Sequence, residues 1–312
     1  MITRNNIPVY DICWLNHAQG GMIGTFYEPE NIDELTNICS SLYQEGKDFD
    51  LIGHTSNIYF MPDYSVANMV STRKCNNMAE EADSIMCDCG VSVAKLARQM
   101  VEKGVKGFEG LIDLPGTVGA AIYGNASCYG CSINSLLISF DLLKPDGNIE
   151  TIYPDVLRLS TRSSSLKREE LNGIILSVRL RKEQGDAIML KKLAEKNHQS
   201  RIVSQPSPKD NLGSIYASKQ KKTLIGIIVI GIAKFCGIRY VLAGKNKEQV
   251  RYKQKEIVLI LLQARDLLPY VYGWNRYIWK DKLSHTLFWK FDKIHRLLYK
   301  DNEFEIEIKR NN

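Results

Sequence analysis

The chain has 312 residues, of which 44% are hydrophobic and 24% are charged, the ordinary composition of a globular protein with two or three domains. Its formal net charge of +6 is compatible with small anionic ligands such as nucleotides but does not require them. No block of lysine and arginine alternates with aromatic residues, so we expect no nucleic acid among the partners.

Cysteine usage and apolar segments indicate the compartment. Residues 1–14 contain no apolar segment followed by a small-residue cleavage site, so we predict no signal peptide, a cytoplasmic location and free thiols. The spacings Cys87-x-Cys89 and Cys128-x-x-Cys131 are poor zinc patterns, and we predict no metal site. The apolar run Leu224–Ala233 has about half the roughly 20 residues of a membrane span. It predicts a buried strand or core helix and no stable membrane insertion.

The first clear pattern is a helix followed by a strand and a loop. Asn31 is a favourable N-cap with Glu34 three residues later, and Gly46 supplies the stop. A strand at 49–52 leads into a small-residue loop, which is compatible with a structural turn or a ligand loop. Its candidate cofactor-binding residues are Gly53, His54, Thr55, Ser56 and Asn57.

A second strand and helix follow, and then a glycine-rich segment at 111–130. Strand 86–91 precedes Ser92, the predicted N-cap of a helix that Gly104 ends. In the glycine-rich segment a proline fixes φ and glycines lack a Cβ, so backbone N–H groups can approach a phosphate. A short glycine motif of this kind is also compatible with a tight turn in a buried connection. The candidate cofactor-binding residues here are Pro115, Gly116, Thr117, Val118, Gly119, Ala120, Gly124, Asn125 and Ala126.

The remaining predicted elements surround three candidate catalytic residues. A hairpin at 138–153 turns at Pro145-Asp146-Gly147, and a serine-rich loop containing Arg162 separates it from a strand at 174–180. An amphipathic helix is predicted at 187–201, a Gly-Ser turn contains Ser214, a helix is predicted at 283–299, and a strand at 304–309 contains Glu307. The alternatives are a surface arginine on a serine-rich loop for Arg162, a serine in a Gly-Ser turn for Ser214 and an exposed acid on a terminal edge strand for Glu307.

In order along the chain, these segments resemble those of the bacterial UDP-N-acetylenolpyruvoylglucosamine reductases. Residues 111–130 resemble the family's IPGTVGGAxxxNAGAYG segment, and 53–57 its G-G-G-S-N segment, with matches at the first and the last two positions. Residues 161–167 are similar to Y-R-x-S-x-F-K, 211–214 to N-A-G-S and the C-terminal strand to P-E-V-R. The resemblance covers residues 16–214 and fades afterwards, except at that strand.

The resemblance implies a fold and a cofactor. The fold is an α+β FAD-binding fold of the PCMH type, with FAD held by the loops at 53–57 and 115–126. Lobe 1 comprises residues 1–70 joined by the C-terminal strand 303–312, lobe 2 residues 71–186, and a third, substrate lobe residues 200–300. NADPH as co-substrate, a nucleotide-sugar substrate and a monomeric state are further implications.

The resemblance also implies a reaction, the NADPH-driven reduction of the enolpyruvyl ether of UDP-N-acetylglucosamine in peptidoglycan synthesis. Arg162 and Glu307 take the positions of residues that stabilise the charge developing on the substrate, and Ser214 that of the residue that protonates it.

Departures from the family pattern leave two alternatives open. His54 and Thr55 replace glycines, Thr161 replaces a tyrosine, and Tyr216-Ala217-Ser218-Lys219 replaces an F-K-N-P segment that contacts the sugar nucleotide. The basic and aromatic region 219–282 has no recognisable family counterpart. The alternatives are a related flavoenzyme acting on a different nucleotide sugar and a non-catalytic FAD-binding remnant.

Overall fold

The computed structural model describes residues 1–17, 20–217, 221–300 and 302–311. The chain divides into two compact units. Unit 1 comprises Met1–Trp14, Gly20–Ser204 and Ile308–Asn312, and unit 2 comprises Leu15–Gln19 and Gln205–Glu307.

Unit 1 is a mixed unit of strands and helices, as the sequence predicts. In chain order its elements are β1 (Ile2–Pro8), β2 (Met22–Glu28), α1 (Ile32–Gln44), β3 (Asp50–Ile52), β4 (Ile58–Phe60), β5 (Ser65–Ser71), β6 (Met78–Glu80), β7 (Ser84–Asp88), α2 (Val93–Glu102), α3 (Val118–Tyr123), β8 (Ser127–Cys128), β9 (Cys131–Ser132), β10 (Leu137–Leu143), β11 (Ile149–Ile152), β12 (Ile174–Arg181) and α4 (Ala187–Ser204).

Two sheets organise unit 1. The first has the order β1-β2-β5-β3, in which β2, β5 and β3 are parallel and β1 is antiparallel to β2. The second has the order β11-β10-β12-β7-β6 and is antiparallel throughout. The α+β fold class predicted from the sequence is therefore confirmed.

Local sequence signals explain where the helices and turns of unit 1 begin and end. The Asn31 side chain accepts a hydrogen bond from the Glu34 N–H at 2.9 Å and caps α1, and Ser92 caps α2 by accepting one from the Lys95 N–H. The β10–β11 hairpin turns through Gly147 at φ +86°. Capping of this kind satisfies N–H groups that have no partner within the helix.

The main core of unit 1 lies between helices and the second sheet. Leu35 on α1 and Leu96 on α2 are fully buried in one apolar cluster with Phe140 and Val178 of the sheet. Burying such side chains contributes about 1.5–3 kcal/mol each. The cluster also fixes Phe108, at the entry to the glycine-rich segment.

Unit 2 is built mainly from helices. Its elements, followed by the strand that leads back into unit 1, are α5 (Leu224–Leu242), α6 (Lys247–Leu261), β13 (Val271–Gly273), β14 (Arg276–Tyr277), α7 (Lys282–Leu298) and β15 (Glu307–Lys309). Aromatic side chains fill its interior: Tyr277, Trp279, Phe288 and Phe291 are fully buried and contact one another. The end of β15 belongs to unit 1, where the Lys309 carbonyl accepts the Met61 N–H at 2.9 Å.

The prediction that Leu224–Ala233 is a buried strand or core helix is wrong. This run forms the first half of α5, a helix of 19 residues that is long and apolar enough to cross a membrane by length and composition, and only 22% of it is buried. Its buried residues are small ones, Gly226, Ala233 and Gly237.

We predict that His295 makes unit 2 sensitive to acid. Burial lowers its pKa from 6.5 to about 4, and its Nδ1 contacts Asn302 Oδ1 at 2.5 Å. A folded-state pKa below the unfolded value gives stability that is complete above pH 6.5 and is lost as the pH falls towards 4. Lowering the pH from 7 to 5 therefore reduces the free energy of unfolding by about 2 kcal/mol through this histidine alone.

Chemical denaturation at the two pH values tests this prediction. His295→Phe, which retains stacking on Tyr216, is expected to reduce the loss of unfolding free energy between pH 7 and 5 by about 2 kcal/mol. An equal loss in the parent protein and the variant would contradict the assignment.

Candidate cofactor and active site

The loop between β3 and β4 contains Gly53, His54, Thr55, Ser56 and Asn57. Thr55 is buried and adopts φ +54°, a left-handed conformation that glycine enters more readily. Its Oγ1 accepts the Trp14 N–H at 2.7 Å, which holds the threonine in this conformation. The loss of a glycine here is thus compensated by a side-chain hydrogen bond.

The segment Pro115-Gly116-Thr117 approaches this loop directly. A Cβ on Gly53 would lie 2.6 Å from Thr117 Oγ1, and a Cβ on Gly116, at φ +112°, would lie 3.4 Å from Ser56 Oγ. The close approach requires glycine at 53, and the positive φ favours glycine at 116. Two segments that are about 60 residues apart in the chain therefore face each other within unit 1.

The structure narrows the set of N–H groups that can bind a phosphate. From Val118 onwards the segment is the helix α3, capped by Thr117, and the N–H groups of Val118 and Gly119 donate to the Val91 and Cys89 carbonyls at 2.8 and 2.9 Å. The N–H groups of Gly124, Asn125 and Ala126 also donate to backbone carbonyls. Within the described ranges, the N–H groups of Ser56, Gly116 and Thr117 have no acceptor. These three amides, the open amides, have no protein acceptor among the described residues and lie where the two loops meet.

A second group of predicted residues surrounds the end of α3. Asn125 adopts φ +45°, donates from Nδ2 to the Ser160 carbonyl at 2.8 Å and accepts from Asn134 Nδ2 at 3.0 Å. Ala120 lies within α3, and a Cβ on Gly124 would lie 3.4 Å from the Ala120 carbonyl oxygen. The small residues here therefore pack tightly against main chain.

Arg162 lies beside this group. Its guanidinium donates to the Ser127 carbonyl at 3.1 Å. The Arg162 carbonyl accepts a hydrogen bond from Lys167 Nζ at 3.4 Å. Ser164 Oγ donates to the Tyr123 carbonyl at 2.6 Å, which ties the serine-rich loop to the end of α3. Unit 1 thus brings Arg162 next to the small-residue cluster at 124–127.

Arg201 is a second cation that our sequence reasoning missed. Arg201 lies on α4. Its guanidinium is 3.8 Å from Sγ of Cys128, which follows Ser127 in β8. Burial raises the pKa of Cys128, and Arg201 and Arg162 oppose that rise. No local sequence signal singles out Arg201, because the contact joins residues 73 positions apart.

Ser214 and Glu307 lie in unit 2. Gly213, at φ +87°, donates its N–H to Asn211 Oδ1 at 2.8 Å and presents the half-buried Ser214. The next residues pair with the segment before β15, since the Glu305 N–H donates to the Ile215 carbonyl at 2.8 Å. Ser214 and Glu307 therefore come from adjacent antiparallel segments.

Tyr216 occupies the start of the segment in which the sequence departs from the family pattern. It is fully buried, its hydroxyl donates to Asp292 Oδ1 at 3.0 Å, and its backbone exchanges two hydrogen bonds with the Asn275 side chain. Ala217 pairs with Glu303 through main chain. Ser218 and Lys219 lie outside the described residues.

The cysteines form neither disulfides nor clusters with histidine and acidic residues in the part of the chain that the structure describes. All eight cysteines are free thiols. No group of three or more His, Cys, Asp or Glu side chains could hold a metal ion among the described residues.

Comparison with known proteins identifies the class. Residues 24–153 match a family model described as an FAD binding domain, and this range contains both facing loops. A crystal structure of UDP-N-acetylenolpyruvylglucosamine reductase from Thermus caldophilus has a TM-score of 0.68 over 99% of this chain and 100% of that chain, at 17% identity, which shows a shared fold. The fold and the facing loops define an FAD-binding α+β protein.

Sequence relatives are named for the same reductase. A UDP-N-acetylenolpyruvoylglucosamine reductase of Caldicellulosiruptor saccharolyticus is 30% identical over 63% of this chain and 64% of the relative. One from Thermosipho melanesiensis is 27% identical over 72% and 75%. The first of these is matched over slightly less than two thirds of its own length. The chain is thus similar to the UDP-N-acetylenolpyruvoylglucosamine reductases over about two thirds of its length, in agreement with the resemblance in the sequence.

We predict that Gly53→Ala weakens FAD binding at least about tenfold. The new Cβ would push Thr117 away and separate the loops whose open amides face the ligand, and loss of one or two charge-assisted hydrogen bonds costs this much. Flavin fluorescence titration measures the affinity. Gly273→Ala is the control, since a Cβ there meets nothing within 4 Å. Equal affinities of the two variants would contradict a role of the loop contact.

Proposed function

We propose that this protein is an FAD-dependent, NADPH-driven oxidoreductase that reduces the enolpyruvyl ether of UDP-N-acetylglucosamine in peptidoglycan synthesis. The observation that carries the proposal is the pair of facing loops in unit 1, with open amides at Ser56, Gly116 and Thr117 inside the matched FAD-binding domain. Relatives that match 63% and 72% of this chain are named for this reductase.

The loops of unit 1 fit the cofactor. Convergent N–H groups stabilise the negative charge of a pyrophosphate, and glycine at 53 and 116 lets main chain approach it. We assign phosphate binding to the loop at 53–57 and to Pro115-Gly116-Thr117, and a packing role beside the cofactor to the small residues at 118–120 and 124–126. When bound, FAD supplies the transfer of a hydride from NADPH to the substrate.

The three candidate catalytic residues have distinct roles in this proposal. Arg162, oriented by its bond to the Ser127 carbonyl, supplies a fixed positive charge for the carboxylate of an enol ether as negative charge develops there. Ser214, held by the Gly213 turn, donates a proton to the neighbouring carbon, and Glu307 assists from the adjacent segment. Arg201, which lies beside Cys128, is a second candidate for this fixed positive charge.

The identity of the substrate depends on unit 2, and a second candidate substrate class exists. Ala217 and Ser218 stand where the family has a lysine and an asparagine that contact the sugar nucleotide, and residues 221–262 form helices α5 and α6. These observations favour a related flavoenzyme that acts on a different nucleotide sugar as the alternative. A non-catalytic FAD-binding remnant is less well supported, because the Thr55 hydrogen bond preserves the loop that lost its glycines.

The organisation and setting of the enzyme are part of the same proposal. The two sheets of unit 1 span residues 2–71 and 78–181 and support two FAD-binding lobes at 1–70 and 71–186, with Ile308–Asn312 returning to unit 1. Residues 200–300 then form the substrate lobe. We propose a cytoplasmic, monomeric enzyme with a nucleotide sugar and NADPH as its small-molecule partners.

Measuring the two half-reactions separately distinguishes the proposed reductase from the related flavoenzyme and from the non-catalytic FAD-binding remnant. The purified protein is expected to bind FAD, to lose flavin absorbance on mixing with NADPH, and to regain it when UDP-N-acetylenolpyruvoylglucosamine is added. Stopped-flow absorbance follows both steps. Reoxidation by a different enol ether alone would favour the related flavoenzyme, and bound FAD that NADPH does not reduce would favour the remnant.

Substitution of Arg162 in unit 1 or of Ser214 in unit 2 should affect only flavin reoxidation by the substrate. Arg162→Ala and Ser214→Ala are expected to slow flavin reoxidation by the substrate about 100-fold or more, while reduction by NADPH changes little, because both residues act on the substrate. Ser207→Ala, at an exposed serine of the same region, is the matched control. Unchanged reoxidation in either variant would remove that residue from the mechanism.

A further inference from the structure

Helix α5 carries a large apolar surface that unit 2 does not cover. Leu224, Phe235 and Leu242 are 73%, 76% and 83% exposed, and isoleucines at 227, 228 and 238 are more than half exposed. At about 100° per residue, the exposed apolar positions occupy roughly 200° of the helix circumference. An uncovered surface of this size indicates a binding function.

One narrow stripe fixes α5 to the rest of unit 2. A Cβ on Gly226 would collide with the Leu298 carbonyl of α7, and a Cβ on Gly237 would lie 2.7 Å from Gln254 Nε2 of α6. Val258 of α6 and Leu298 of α7 share a buried cluster with Ala233 of α5. The small residues thus let α5 pack closely on one side while its large side chains point away.

The charge of the chain is concentrated around this helix. Residues 221–262 contain nine lysines and arginines and two glutamates, a formal charge of +7, so the rest of the chain carries −1 of the total of +6. Lys234 and Arg239 are both exposed on α5. At about 100° per residue both fall within the arc of exposed apolar residues. Their charged ends can reach a polar layer while their long stems stay on apolar surface.

A groove beside α5 combines the same two properties. It has a volume of about 470 Å³ and is lined by Phe235, Cys236, Ile238, Arg239, Leu242 and Ile257. Its wall is aliphatic and aromatic apart from the Arg239 guanidinium. This lining suits an acyl chain whose anionic head group contacts an arginine.

We propose that α5 docks unit 2 on the surface of an anionic phospholipid bilayer, with the helix axis in the plane of the membrane and its apolar surface among the upper acyl chains. Apolar side chains supply the burial, and the surrounding cations supply attraction to anionic head groups. The proposal is independent of the reaction proposed above.

Two other arrangements of α5 fit the charges less well. If α5 crossed the bilayer, its partner α6 would bring Arg251 and Lys253 into the hydrocarbon, which is costly. If a second copy of this chain covered the surface, two segments of +7 would face each other and repel. A bilayer surface of opposite charge avoids both costs.

Vesicle flotation of the full chain tests the proposal. We expect binding to phosphatidylcholine vesicles that contain phosphatidylglycerol, weaker binding in high salt, and little binding to phosphatidylcholine alone. The double variant Phe235→Asp, Leu242→Asp should reduce bound protein at least about tenfold, since two large apolar side chains no longer bury. Ile188→Asp, at a residue of α4 that is 81% exposed, is the control and should bind like the parent.

A tryptophan at the middle of α5 tests the orientation. The emission of the added tryptophan in Phe235→Trp, obtained by subtracting the parent's spectrum, should shift to the blue on anionic vesicles. Lipids that carry bromines near the head groups should quench it. Quenching only by bromines near the chain ends would indicate a spanning helix and overturn the in-plane arrangement. Absence of vesicle binding, equal loss in the Ile188→Asp control, or self-association in sedimentation that Phe235→Asp abolishes would each overturn membrane docking.

Discussion

The contact between the loop at 53–57 and Pro115-Gly116-Thr117 is the constraint on which the cofactor site depends. Thr117 is almost fully buried, caps α3, and occupies the space that a side chain at Gly53 would need. Its neighbours Val118 and Gly119 donate to carbonyls that follow β7 of the second sheet, whereas Gly53 continues β3 of the first sheet. The contact therefore joins the two sheets of unit 1, and the packing of both sheets sets the spacing of the open amides.

Features that depend on a few neighbouring residues could be predicted from the sequence. Asn31 and Ser92 cap helices where their side-chain chemistry predicted, and Gly147 turns the predicted hairpin. The same local reasoning missed α3, because Pro115 and Gly116 resemble a loop and do not show that Val118–Tyr123 turns helical. That helix uses most of the N–H groups that we expected a ligand to use, so the site shifted from the whole segment to its first residues.

Features that depend on packing between distant residues could not be predicted. The Thr55 side chain replaces a glycine only because the Trp14 N–H lies 2.7 Å away, and Arg201 reaches Cys128 only through the placement of α4. In unit 2 the apolar run at 224–233 predicted burial from hydrophobicity alone. Burial also requires a partner surface, and the small residues of α5 provide one on a single side.

The two units differ in how far the family's chemistry accounts for them. In unit 1, Thr55 stands where the resembled family has a glycine, and a side-chain hydrogen bond holds its left-handed backbone. In unit 2, Ala217 stands where the resembled family has a lysine, and nine lysines and arginines lie within residues 221–262, beside an exposed apolar surface. A cation beside exposed Leu and Ile side chains gains most from a ligand that is itself both anionic and apolar. The cations and the exposed apolar surface of residues 221–262 therefore have the chemistry of the proposed docking surface, whereas the facing loops of unit 1 have the chemistry of a cofactor site.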